Sequence, residues 1–117
     1  MIFDVINSVM DSLSVRYWFA RADLTTETPT LFIIYDLYDN AVDFGDGEET
    51  ATRYTVTFHL YGQVPTDVDD LYRRMCRALK NAGFTRAGGS YSSTDDFPEY
   101  YRRSVDFYFI SENEEEI

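Results

Sequence analysis

The stretch TRYTVTFHLYGQVPTDVDDLYRRMCRALKNAGF, Thr52 to Phe84, reads as strand, turn, helix and stop in succession. Its first eleven residues alternate, with Tyr54, Val56, Phe58 and Leu60 on one face and Thr55, Thr57, His59 and Tyr61 on the other. A period of two built from β-branched and aromatic side chains predicts a strand with one face buried. Val64-Pro65 breaks it. Thr66 stands where a helix N-cap belongs, with Asp69 three residues on to reach back in the manner of a capping box. Val68, Leu71, Tyr72, Met75, Leu79 and Ala82 then recur at helical spacing. Asp67, Asp69 and Asp70 fill the first turn while Arg73, Arg74, Arg77 and Lys80 come later, the order that the helix dipole favours. Gly83 supplies a left-handed residue to end the helix, and Phe84 can fold back over its last turn.

Upstream, Ile2, Ile6, Val9, Met10 and Leu13 form the core stripe of a first helix, with Phe3 and Val5 widening it or projecting towards a neighbour. Ser14 to Arg21 alternates Val15, Tyr17 and Phe19 against Arg16, Trp18 and Ala20, a short strand. Ala22 to Thr28 reads as a loop ended by Pro29. TLFIIYDLY, Thr30 to Tyr38, is the most apolar strand and is expected at the sheet centre. DNAVDFGDGEETA, Asp39 to Ala51, carries two glycines and a crowd of acids, and reads as a long acidic hairpin connection. Its Asp39, Asp43 and Asp46 do not fit the alternating ligands and terminal glutamate of an EF-hand loop, so no metal site is assigned there.

Downstream, Thr85 to Ser93 is strand-like but bent by Gly88-Gly89, and Thr94 to Tyr101 is a connection containing Pro98. Arg103 to Ser111 alternates Val105, Phe107 and Phe109 against Ser104, Asp106, Tyr108 and Ile110, and closes the sheet. The expected order is α-β-β-β-α-β-β. This is an α+β fold, a mainly antiparallel sheet of four to five strands with two helices on one face. Residues 1–111 form a single domain and residues 112–117 an acidic tail.

Composition narrows the function classes. A net charge of −11 repels phosphate backbones and disfavours nucleic-acid binding by counterion release. The 10 tyrosines and 9 phenylalanines suit either contact surfaces or strand preference. A lone cysteine, Cys76, permits no intramolecular disulfide framework, and at helical spacing beside Met75 and Leu79 it reads as a small core residue. Met1 to Leu13 lacks the basic n-region of a secretory signal, and the longest apolar run, Leu31 to Tyr35, is too short to cross a membrane.

No catalytic constellation is legible. His59 is the single histidine and reads as a structural or interface residue. Ser90, Ser92 and Ser93 stand in no nucleophile-elbow pattern, and no glycine loop for phosphate follows a strand. No cofactor, metal or enzymatic activity is assigned. Two surface features remain, and each carries two readings. The ridge of Arg73, Arg74, Arg77 and Lys80, with the pair Arg102 and Arg103, serves either dipole compensation and internal ion pairs or a seam against an acidic neighbour. The acidic segment from Asp39 to Thr50, together with the acidic tail, serves either solubility or a flexible arm or negatively charged lining.

The order and texture of these segments, "LFIIYDLYDN", an acidic loop, "RYTVTFHLYG", a helix ending "LKNAGFTRAGGSY" and a final "YYRRSVDFYFI", resemble the tail terminator and tail-completion proteins of long-tailed bacteriophages and prophages. The acidic loop and tail depart from the family pattern. The resemblance implies a non-enzymatic virion protein, assembled in the host cytoplasm, that forms a hexameric ring at the head-proximal end of the tail tube. Its partners would be further copies of itself, the tube protein and the head-closure or connector protein, with DNA passing through the lumen unbound. On that reading Arg73, Arg74, Arg77, Lys80, Arg102 and Arg103 are candidates for the inter-subunit seam. Asp39, Asp43, Asp46, Glu48 and Glu49 are candidates for a loop facing tube, connector or lumen. A head-closure or neck ring is the neighbouring alternative, and a small acidic binding or inhibitor module comes from a different class.

Overall fold

The computed structural model describes residues 2–20, 29–45, 48–88, 91–93 and 100–112. Helix α1 (Ile2–Ser12) leads into β1 (Arg16–Phe19), β2 (Leu31–Gly45) and β3 (Glu48–Gly62). Helix α2 (Pro65–Asn81) follows, then β4 (Thr85–Arg86), β5 (Tyr91–Ser93) and β6 (Tyr101–Glu112). The strands form one sheet in the order β1-β2-β3-β6-β4, with β5 also on the outer flank of β6. Every pairing is antiparallel except β1 with β2. The fold is α+β, in the element order that the patterning predicts. The segment after α2 contributes two short strands, β4 and β5, where the patterning predicts one.

Alternation decides which residues meet the helices. Ile33 and Tyr35 of β2, Val56, Phe58 and Leu60 of β3, and Val105 and Phe107 of β6 share a buried core with Ile2, Ile6, Val9, Met10 and Leu13 of the α1 segment. Val68, Leu71, Tyr72, Met75 and Leu79 complete it from α2. Burying a large apolar side chain of this kind stabilises the fold by about 1.5–3 kcal/mol relative to exposure. On the opposite face Phe32, Ile34, Tyr61 and Tyr100 form a second cluster with Trp18 beside it. Phe32 stacks on Tyr61 at 4.9 Å between ring centroids and meets Tyr100 edge-on at 5.3 Å. The Tyr100 hydroxyl donates to the Pro29 carbonyl at 2.7 Å, fastening the start of β6 over the entry to β2.

Three expectations are corrected. Helix α2 begins at Pro65 with Val64 as N-cap, and no side chain caps it, so the Thr66–Asp69 capping box does not form. Proline at the first helical position presets φ and has no N–H to satisfy, which moves the start one residue ahead of Thr66. The sheet centre is β3 rather than β2, because β1 covers only Phe32 to Tyr35 of its neighbour. The acidic segment is largely ladder: β2 and β3 remain paired as far as Gly45 and Glu48. Asp46 lies outside the described residues, as does the tail beyond Glu112.

The C-terminal end of α2 follows the sequence closely. Gly83 has φ +100°, its N–H donates to the Lys80 carbonyl, and the Phe84 N–H donates to the Leu79 carbonyl at 3.0 Å. These two bonds are the Schellman pair that satisfies the last carbonyls of a helix. At the other end Gly62 permits a tight turn. A Cβ there would meet Val68 Cγ2 at 2.6 Å and Leu31 Cδ1 at 2.8 Å.

Candidate functional site

The fold sorts the six predicted seam residues into two groups. Arg74 donates from Nε to Asp70 Oδ2 at 3.0 Å and from Nη1 to the Leu13 carbonyl at 3.3 Å, tying α2 to the end of α1. Arg103 reaches Asp69 Oδ1 at 2.6 Å and lies over the Tyr72 ring at 3.9 Å. Arg102 is half-buried, on the helix-free face opposite Tyr61. Arg74 and Arg103 thus serve the fold of their own chain. Arg73, Arg77 and Lys80 differ: all are exposed, and among the described residues none has an ion-pair partner. Their spacing of four and three residues places them in one stripe along α2.

That stripe runs into a groove of 530 Å³ between the C-terminal half of α2 and β4. It is lined by Cys76 and Lys80 of α2, by Gly83 and Phe84 after it, by Thr85 and Arg86 of β4, and by Phe107 of β6. Arg86 donates from Nε to the Gly88 carbonyl at 2.8 Å, which holds the guanidinium beside the groove. Sequence reasoning missed Arg86, because pairing of β4 with β6, rather than helical spacing, brings it next to Lys80. Burial pushes the Cys76 thiol up from its ordinary value, while Tyr72, Arg86 and Arg103 act the other way. The groove therefore combines the rings of Phe84 and Phe107 with two cationic side chains, Lys80 and Arg86, and a half-buried thiol.

The acidic candidates occupy the opposite kind of place. Asp39 and Asp43 belong to β2, and Glu48 and Glu49 to β3. Strand β6 accompanies β3 only as far as Ala51, and β1 leaves β2 after Tyr35. Beyond Ala51, among the described residues, the two strands pair only with each other and continue as a two-stranded ribbon. Fifteen residues at about 3.4 Å each give strands of about 50 Å, matching the longest molecular dimension of 52 Å.

The helix-free face holds a row that sequence spacing could not reveal. His59 Nδ1 lies 2.7 Å from Ser104 Oγ on β6, and its Nε2 lies 3.6 Å from Asp36 Oδ2 on β2. The residue types are those of a hydrolase triad, but the exposures are reversed. Ser104 is 0% exposed, whereas the Asp36 side chain is 54% exposed. A nucleophilic serine must be reached by substrate while the aspartate sits behind the imidazole. Here the hydroxyl is sealed under the sheet surface, so the row acts as a cross-strand polar tie. Thr57 continues it by donating to Asp106 Oδ1 at 2.7 Å.

A polar cleft of 550 Å³ lies at the turn from α1 into β1, lined by Asp11, Ser14, Val15, Arg16 and Tyr17. Its groups are turned towards each other: the Tyr17 hydroxyl donates to Asp11 Oδ1 at 2.7 Å. Burial, then the Asp11 carboxylate, pushes the Tyr17 phenol up to about 12. Among the described residues no group of three His, Cys, Asp or Glu side chains converges as metal ligands, and no helix is long and apolar enough to cross a membrane. Neither a protein-family model nor a curated protein matches the chain.

Proposed function

We propose that the chain is a ring-forming structural protein of a long-tailed phage, the tail terminator that closes the head-proximal end of the tail tube. The observation that carries this reading is the separation of charge on one small scaffold. A chain of net charge −11 keeps Arg73, Arg77 and Lys80 without ion-pair partners among the described residues, and puts acids on a ribbon beyond the sheet. Opposite charges on different patches of one chain favour head-to-tail contact between copies. Such contacts close into a ring when the rotation permits. The resemblance in segment order points to the same class of assembly.

In this reading the sheet and helices are the rigid body, the α2 stripe is part of the seam, and the ribbon faces the lumen, the tube or the connector. An acidic lumen repels the DNA backbone, which lets the genome slide without sticking. The work is mechanical and needs no reacting group. The test adds purified protein to growing tail tubes and follows tube length by electron microscopy. Growth should stop, with added density at one end. Density at the connector and uninhibited tubes would favour a head-closure ring instead.

A further inference from the structure

We propose that the groove between α2 and β4 is a docking site for an extended acidic segment of a different protein, which joins the sheet as a strand beside β4. The inference goes beyond the ring reading and does not rest on it. Strand β4 ends the strand order, and among the described residues it pairs only with β6. The Ala87 N–H donates to the Asp106 carbonyl at 2.9 Å, directly after the pairs Thr85–Tyr108 and Arg86–Phe107. Along an antiparallel ladder, residues alternate between bonding to the partner strand and facing away from it. Arg86 therefore turns its own N–H and carbonyl away from β6, towards the open edge. An edge of this kind is a template for one more strand.

The groove decides which strand fits. Opposed residues share a face of the sheet, so the Arg86 side chain stands on the helix side with Phe107, and Lys80 approaches from α2. Phe84 and Phe107 are themselves buried, so the groove presents a strand edge and two exposed cations. Alternate residues of an added strand point to one face about 6.8 Å apart, and carboxylates at those positions meet Lys80 and Arg86. On a chain of net charge −11, an acidic segment is attracted here while the rest of the surface repels it. The far edge of the sheet does not supply such a segment, because β1, Arg16–Phe19, contains no carboxylate. Joining the two sheet edges of successive copies would leave both cations unanswered, so the occupant belongs to a different protein.

The probe is a short peptide alternating threonine with glutamate, blocked at both ends and labelled with fluorescein. Polarisation should show saturable binding to the parent chain. Lys80→Glu with Arg86→Glu should weaken it by about tenfold or more, and that variant should instead bind the peptide with lysine in place of glutamate. N-methylation of every second peptide amide separates strand addition from charge attraction alone. The set of amides that faces β4 should remove binding when methylated, and the set that faces away should leave it intact. Cys76 lines the groove and is the single cysteine of the chain, so bound peptide should also slow its reaction with a maleimide. Thermal melts establish that the variant is folded. Loss with one methylated set alone, reciprocal charge dependence and a shielded Cys76 support the site. No saturable binding, equal affinity for both methylated sets, or an unshielded Cys76 overturns it. Shielding of Cys76 that grows with the concentration of the chain alone also overturns it, and would assign the groove to a second copy.

Discussion

The Arg103 guanidinium lies 3.9 Å above the centre of the Tyr72 ring while its Nη1 donates to Asp69 Oδ1 at 2.6 Å, so one side chain of β6 grips α2 by stacking and by charge. Arg77, on the same helix, is exposed and has no ion-pair partner among the described residues. The contrast predicts different costs. Arg103→Ala should lose about 1–2 kcal/mol, from the cation–π contact, the packed stem and a partly exposed ion pair. Arg77→Ala should stay within about 0.5 kcal/mol of the parent. Urea unfolding of the two variants measures the difference.

Gly83 is the hinge of the stop after α2. Its φ of +100° is costly for any residue with a side chain, and a Cβ there would come within 3.3 Å of the Phe109 ring. Gly83→Ala should therefore destabilise the chain by about 1–2 kcal/mol. In a domain of this size that lowers Tm by about 4 °C per kcal/mol, which a thermal melt resolves.

The polar tie on the helix-free face has one buried end and one wet end. Ser104→Ala removes a fully buried hydroxyl 2.7 Å from His59 Nδ1 and should cost about 1–2 kcal/mol. Asp36→Asn alters an exposed carboxylate 3.6 Å from Nε2 and should change stability by under about 0.5 kcal/mol. Equal costs for the two would contradict this account of the row.

Tyr17 ties the start of the sheet to the end of α1 through Asp11. The folded chain keeps this phenol protonated up to about 12, against 10.0 for an ordinary tyrosine, owing to burial and then to the Asp11 carboxylate. Between those values the unfolded chain ionises and the folded one does not, so stability falls as pH rises through that window. Tyr35 shifts in the same direction through burial. Tyr17→Phe should flatten the alkaline fall, measured by urea unfolding at several pH values.

Much of the architecture was legible because burial leaves a period in the sequence. Val56, Phe58 and Leu60, and likewise Leu71, Met75 and Leu79, are apolar at intervals that only a strand and a helix produce. The ribbon was hidden because aspartate, asparagine and glycine are poor strand formers, and Asp39 to Ala51 is rich in them. The Asp46-Gly47 pair, a hairpin signal, was the clue to shorten that connection. Parallel pairing of β1 with β2 left no local trace. The site was less legible still. Helical spacing found Arg73, Arg77 and Lys80, but only tertiary contacts distinguish them from Arg74, and only strand pairing brings Arg86 to the groove. Likewise Asp36, His59 and Ser104 are scattered in sequence and meet only across three neighbouring strands.

The central claim is self-association through separated charges, and the most direct measurement is molar mass by light scattering over a wide concentration range. The parent chain should converge on a closed ring of about six subunits. Arg73→Glu with Arg77→Glu should remain a folded monomer under the same conditions. A parent chain that scatters as a monomer at every concentration, or a double variant that forms the ring unchanged, would contradict the account.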